Sequence, residues 1–257
     1  MKEYIHGAEP LFLHGDNSGC LLLHGGGGGT AWDLKEFAEV LHSRTGMTIW
    51  LPSLTGYGTK PEDLCGITLD DWLSDAHNGL DRLLETCERV YVVGHSMGGL
   101  LTLLLASQRD EVRGIVTWAA PIAVRSRLLP LLTIFNRIPL LRRAIPKKAN
   151  RPTPEWLLKQ GWIGYDWIPT SIGLAMHDGL RRLKRALDDI TCPALIVQGS
   201  RDLDVSRDSA QRIHEALSSE VKEALIIQGA GHAMMNQDEY KNELFGSSIT
   251  FIERIQQ

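Results

Sequence analysis

The feature that most constrains this chain is a run in its first half: Arg89-Val90-Tyr91-Val92-Val93, then Gly94-His95-Ser96-Met97-Gly98-Gly99, then the apolar stretch from Leu100 to Gln108. A nearly continuous β-branched and apolar stretch reads as a strand buried on both faces, as at the centre of a parallel sheet. The stretch after it reads as a helix. Between them, Gly94-His95-Ser96-Met97-Gly98 matches G-x-S-x-G, the pattern of a tight strand-to-helix turn that lifts a serine clear of the sheet on a strained backbone. Side chains at the two flanking glycines would collide across such a turn. The helix beginning near Met97 aims its N-terminal N–H groups and positive dipole end at the same place. Ser96 is therefore the candidate nucleophile.

The rest of the chain alternates in the same way. Strands are expected at Cys20 to His24, Met47 to Leu51, Val112 to Ala119, Pro193 to Gly199 and Lys222 to Gln228. Between them, helical spacing of apolar residues marks Trp32 to about Arg44, Leu69 to about Glu88, Ser206 to Leu217 with Ser206 as cap, and Glu239 to Ile255. This rhythm implies βαβ units and an α/β, mostly parallel, doubly wound sheet covered on both faces. Pro121 to about Ile190 breaks it, with six prolines after Pro121, three tryptophans and no convincing strand. The expected organisation is a core of residues 1–121 and 191–257 with a helical insertion at 122–190.

A serine hydroxyl needs a base to take its proton. His232, in Gly229-Ala230-Gly231-His232-Ala233, follows a strand and precedes the last helix, on a glycine loop able to deliver an imidazole to the sheet edge. His95 adjoins the nucleophile, but neighbours on an extended backbone point to opposite sides. His24 ends a strand and is expected to shape the glycine loop. The third group must be a carboxylate that fixes the imidazole tautomer. Asp202, in the loop after the strand ending at Gly199, is favoured, with Asp204 as its rival. The order Ser96, Asp202, His232 is nucleophile, acid, base.

The five glycines Gly25 to Gly29 suggest a nucleotide loop, but Gly29 leads into Thr30 with no lysine, and the following strand ends Ile49-Trp50-Leu51-Pro52 without a ribose-binding carboxylate. The better reading is an oxyanion hole, with the N–H groups of Gly26 and Met97 as donors. No cofactor and no metal site is expected.

Composition narrows the partners. A net charge of −4 gives no electrostatic reason to expect nucleic acid. The four cysteines are scattered, without metal spacing, as in a reduced cytoplasmic protein. The most apolar stretch, Leu128 to Phe135, is far too short to span a bilayer, and no stable membrane insertion is expected.

Taken together, Leu21-Leu22-Leu23-His24-Gly25, the run around Ser96, Gln198-Gly199-Ser200-Arg201-Asp202 and Gly231-His232 resemble the bacterial carboxylesterase and monoacylglycerol lipase branch of the α/β-hydrolase fold. Leu54 to Leu73, with Gly56-Tyr57-Gly58 and Asp71-Trp72, and Gly114-Ile115-Val116-Thr117 leading to Ala120-Pro121, look like the same branch. The resemblance implies hydrolysis of small-molecule carboxylic esters through an acyl-enzyme, with Ser96, Asp202 and His232 as triad. It also implies that the segment between the sixth and seventh strands, here 122–190, forms a lid. Leu128, Leu129, Leu131, Leu132, Ile134, Phe135, Ile138, Leu140 and Leu141 are candidates to line an acyl tunnel, or else pack the lid on the core. The basic residues from Arg125 to Lys148 are candidates for an anionic interface or a solvated face. Where this branch commonly carries a bulky residue, this chain has Gly26, which leaves a side-chain wall missing from the acyl pocket. The same residues would serve a thioesterase or an acyltransferase. A carbon–carbon bond hydrolase or hydroxynitrile lyase, and a non-catalytic binder of an apolar ligand, stay open as further alternatives.

Overall fold

The computed structural model of the 257-residue chain describes residues 3–123, 155–169 and 171–257, with 147–149 as backbone. The tunnel candidates from Leu128 to Leu141, and the basic residues from Arg125 to Lys148, lie outside the described side chains.

Among the described residues, seven strands form one sheet: β1 (Leu11–Leu13), β2 (Ser18–Leu23), β3 (Thr48–Leu51), β4 (Arg89–His95), β5 (Val112–Trp118), β8 (Ala194–Gly199) and β9 (Lys222–Ile227). Their order is β1-β3-β2-β4-β5-β8-β9. Every pairing is parallel except that of β1 with β3. The insertion leaves the sheet after its fifth strand, not its sixth, and it contains strand structure that the sequence did not suggest. Within it β6 (Lys147–Ala149) pairs antiparallel with β7 (Trp167–Pro169). Three residues each, one strand with two lysines and the other ending in proline, are too short for a period-two signal to emerge.

Alternation on the buried strands splits the core into two layers. Leu21, Leu23, Val92, Ile115 and Ile196 face α2 (Leu69–Leu84), α3 (Met97–Ala106), α5 (Ser171–Ala186) and α6 (Ser209–Ala216). Cys20, Leu22, Val93, Trp118 and Val197 face α1 (Trp32–Thr45) and α7 (Asp238–Ile255). Both faces being covered is why these strands lack polar alternation. A short helix, α4 (Glu155–Lys159), belongs to the insertion.

Helix boundaries follow local chemistry. Thr68 caps α2 in a reciprocal capping box with Asp71. α3 starts at Met97, directly after Ser96, where the sequence placed it, and ends at Ala106. Ser206 does not cap α6: its hydroxyl turns to the Asp208 carboxylate, and the helix begins at Ser209. The residues before it are engaged elsewhere, because the N–H groups of Asp204 and Val205 donate to Asp202.

The register aligns the carboxyl ends of the central strands. Leu23 pairs with Gly94, His95 with Trp118, Trp118 with Val197 and Gly199 with Ile227. The loops after β2, β4, β8 and β9 therefore emerge at one edge of the sheet, where groups in open α/β sheets converge.

Candidate active site

At that edge the backbone turns sharply. Ser96 has φ 52° and ψ −113°, a conformation a side chain adopts only when its surroundings impose it. The surroundings here are close backbone: a Cβ on Gly94 would run into the carbonyl of Gly98, and one on Gly98 into that of Leu23. Ser96 N–H donates to the Trp118 carbonyl at 2.8 Å, which ties the turn to β5.

The three sequence candidates meet here. His232 Nε2 lies 2.9 Å from Ser96 Oγ, and His232 Nδ1 lies 2.8 Å from Asp202 Oδ2. The carboxylate fixes the tautomer: Nδ1–H donates to Asp202, leaving Nε2 to accept from the serine hydroxyl. Asp202 is fully buried. Its Oδ2 also accepts from Gln198 Nε2 at 2.7 Å, and its Oδ1 from the N–H groups of Asp204 and Val205 at 2.8 and 2.9 Å. Burial works to raise its pKa. The His232 hydrogen bond and charge, together with the two backbone donors, outweigh burial and hold it below the usual carboxylate value.

Asp204 is exposed, and its carboxylate shares the neighbourhood: one ligand atom each from Asp202, Asp204 and His232 falls within 4.8 Å of the others. Those of Asp202 and His232 are already bonded to each other.

The glycine loop lies over the serine. A Cβ on Gly25 would sit 3.5 Å from Ser96 Cβ, and one on Gly26 3.4 Å from Met97 Cβ. Among the described residues, no carbonyl or side chain accepts from the N–H of Gly26 or of Met97. The open space expected beside Gly26 is absent. A Cβ there would meet Met97 Sδ at 3.0 Å and Tyr57 Oη at 3.1 Å. Tyr57 is buried, stacks on Tyr165 of the insertion and meets the His24 ring edge-on. Its hydroxyl is also a partner of the Gly27 backbone.

His24 shapes the loop as expected. Its Nε2 accepts from Leu54 N–H at 3.0 Å, so its Nδ1–H donates to the Gly25 carbonyl at 2.8 Å. Burial pushes its pKa down to about 4. His95, set aside in the sequence as pointing away, is instead part of the support. Its ring centroid is 5.0 Å from that of His232, and its Nε2 lies 3.1 Å from the His232 carbonyl oxygen. Burial, then the nearby His232 charge, push its pKa down to about 3, so it stays neutral. Tyr57 and Gln198 stand in runs that resemble the family, but nothing in those runs gave either residue a role, and the partner of His95 is 137 residues away. Adjacency to Ser96 was the one available hint for His95.

This arrangement carries a name. The alpha/beta hydrolase family model matches residues 11–242. The chain belongs to the alpha/beta hydrolase family. Among curated proteins, this hydrolase is 31% identical over 228 residues to a thermostable monoacylglycerol lipase of Bacillus sp. (strain H-257), covering 89% of this chain and 88% of that one. It is 25% identical over 248 residues to a carboxylesterase of Bacillus subtilis (strain 168), covering 96% and 97%. A solved structure from work on two metagenome-derived lipolytic enzymes superposes with a TM-score of 0.86 at 27% identity, covering 98% of this chain and all of the other.

Proposed function

We propose that this hydrolase cleaves carboxylic esters of the carboxylesterase or monoacylglycerol lipase type, with Ser96 as nucleophile, His232 as base and Asp202 as its orienting carboxylate. The observation that carries this reading is the continuous hydrogen-bonded line from Asp202 Oδ2 through the imidazole to Ser96 Oγ. Ser96 Oγ attacks the ester carbonyl while His232 Nε2 takes its proton. The imidazolium so formed is stabilised by Asp202 and then protonates the leaving alcohol. Negative charge on the substrate oxygen falls to the N–H groups of Gly26 and Met97, the latter at the positive end of α3. Water, deprotonated by His232, attacks the acyl-enzyme, and the acid leaves with Ser96 restored. Each step needs only protein groups and water.

Residues 122–190 act in this reading as a cap over the site and select an apolar acyl chain. The curated relatives favour an oxygen ester over a thioester. Among the described residues, no helix is long and apolar enough to cross a membrane. The described cysteines are free thiols, in keeping with a cytoplasmic setting.

The test is a panel of p-nitrophenyl esters, acyl thioesters and monoacylglycerols run on the wild type and Ser96→Ala, with fluorophosphonate labelling of both. Esterase activity and labelling that both vanish in the variant support the reading. Activity that survives the substitution overturns it, and a steep preference for acetate over longer chains overturns the cap's proposed selectivity.

A further inference from the structure

One buried carboxylate takes no part in these steps. Asp33, at the start of α1, is 8% exposed and has no cationic partner among the described residues. It accepts instead from three N–H groups on three different segments. Thr30 N–H, from the glycine loop, lies 3.3 Å from Oδ2. Trp162 Nε1, from the insertion, lies 3.0 Å from Oδ1. Asn236 Nδ2, four residues beyond His232, lies 2.9 Å from Oδ1.

The same segments are joined around it. Thr30 Oγ1 donates to the Ile163 carbonyl at 2.8 Å, and Tyr165 N–H donates to the Gly28 carbonyl at 2.9 Å. A Cβ on Gly29 would sit 2.5 Å from Asp33 Oδ2, and one on Gly164 2.5 Å from the Gly28 carbonyl oxygen, so both glycines permit the close approach.

We propose that Asp33 is a positioning residue of this site: its carboxylate holds the loop carrying Gly26, the loop carrying His232 and the insertion in one mutual arrangement. The proposal rests on the reading of Ser96 and His232 given above. A carboxylate with both oxygens available suits three converging donors. The protonated acid brings a donor of its own in among three converging N–H groups and leaves one oxygen the weaker acceptor, so the three bonds favour the ionised form. The ionised form is thus the one that holds the three segments.

The local charges fit this role. Burial pushes the Asp33 pKa up to about 6, against the pull of its three donors and of the His232 charge. On α1 itself, Lys35 is paired with Glu9 and Glu36 with Lys241 of α7. From the insertion, the Tyr165 hydroxyl is taken up by Gly56 and Thr59. Among the described residues, His232 is the facing group whose charge draws the Asp33 pKa down.

The experiment is the pH dependence of kcat and kcat/KM for the wild type, Asp33→Asn, Trp162→Phe and Asn236→Ala, with Ser96→Ala alongside. Near pH 8, Asp33→Asn is expected to lower kcat by about tenfold or more while KM changes less than about threefold. The wild-type acid limb should fall with two ionisations, and that of Asp33→Asn with one. Trp162→Phe and Asn236→Ala each keep the carboxylate but remove a donor, so each should move the second ionisation to higher pH. Those two variants decide the matter if Asp33→Asn does not fold. A wild-type kcat and acid limb in Asp33→Asn, or a loss of activity with the acid limb unchanged in shape, overturns the proposal. Activity retained by Ser96→Ala would instead sink the reading of the site, whatever Asp33 does.

Discussion

His95, the residue immediately before Ser96, holds the backbone of His232 through a 3.1 Å contact between its Nε2 and the His232 carbonyl oxygen, across 137 residues of sequence. Because that carbonyl can only accept, the His95 proton sits on Nε2. Its Nδ1 is buried and has no hydrogen-bond partner among the described residues. One strand end, β4, thereby sets both the proposed nucleophile and the loop that carries the proposed base. Replacing His95 by Ala should free that loop and lower kcat by about tenfold to a hundredfold with little change in KM, since reaching the reacting geometry depends on fractions of an ångström. Steady-state kinetics on one ester checks this. An unchanged kcat would show that the loop is held elsewhere.

Asp202 and Asp204 lie on one loop, yet their surroundings differ. Asp202 is buried and accepts four hydrogen bonds, from Gln198, His232, Asp204 and Val205, whereas Asp204 is exposed. Asp202→Asn should lower kcat by about 10⁴-fold, the cost of presenting the imidazole in the wrong tautomer. Asp204→Asn should stay within about threefold of the wild type, as expected of a surface substitution that breaks no buried bond. Comparable losses in the two variants would contradict the assignment.

Beside Gly26, the position where a Cβ would point is filled by Tyr57 and Met97. Gly26→Phe should therefore strain the packing instead of completing a pocket wall, with a loss of stability of about 1–3 kcal/mol. Met97 ends in a flexible thioether that can yield, whereas Tyr57 is locked between Tyr165 and His24. Adding Tyr57→Ala should therefore recover part of that loss, giving a coupling of about 0.5 kcal/mol or more in a double-mutant cycle read by urea unfolding. Strict additivity would mean that the Phe side chain leaves by another route.

What was legible in the sequence follows from range. The alternation of strands and helices, and the strand, G-x-S-x-G and helix around Ser96, are local patterns, and they put Ser96, Asp202 and His232 on loops whose common edge the sheet register then explains. The strands at Lys147–Ala149 and Trp167–Pro169 were invisible because three residues carry no period. Asp33 drew no reading from the sequence, since its partners Trp162 and Asn236 are 129 and 203 residues away. His95 was dismissed by a rule of alternation that holds inside a strand and lapses where the strand ends in a turn.

Buried histidines give the fold a particular response to acid. His24 and His95 are held neutral, with pKa values pushed down to about 4 and about 3 by burial. In the unfolded chain each would take up a proton near pH 6.5. Stability from this source is therefore complete above about pH 6.5 and is lost as pH falls toward 4, with a slope of up to about 2.7 kcal/mol per pH unit for two protons. Unfolding free energies of the wild type and His95→Asn at pH 7 and pH 5 test it. The variant should show the shallower decline, and parallel declines would mean that His95 titrates in the native state.

Asp33 contributes with the opposite sign. Its folded pKa, about 6, lies above the ordinary carboxylate value, so the native state binds its proton more tightly than the unfolded chain does. The stabilisation is present below about pH 4 and is lost as pH rises through 6. Ionised Asp33 therefore weakens the fold at neutral pH by up to about 3 kcal/mol, taking 1.36 kcal/mol per pKa unit, and less where solvent relaxes the burial. Asp33→Asn cannot ionise, so the stability of the wild type relative to this variant should fall between pH 4 and pH 7, even as the variant loses activity at the upper end. Urea unfolding of both proteins across that range gives the difference directly, free of groups that titrate alike in the two. A difference independent of pH would mean that the carboxylate ionises as readily in the folded chain as in the unfolded one, and that its three N–H donors fully offset its burial.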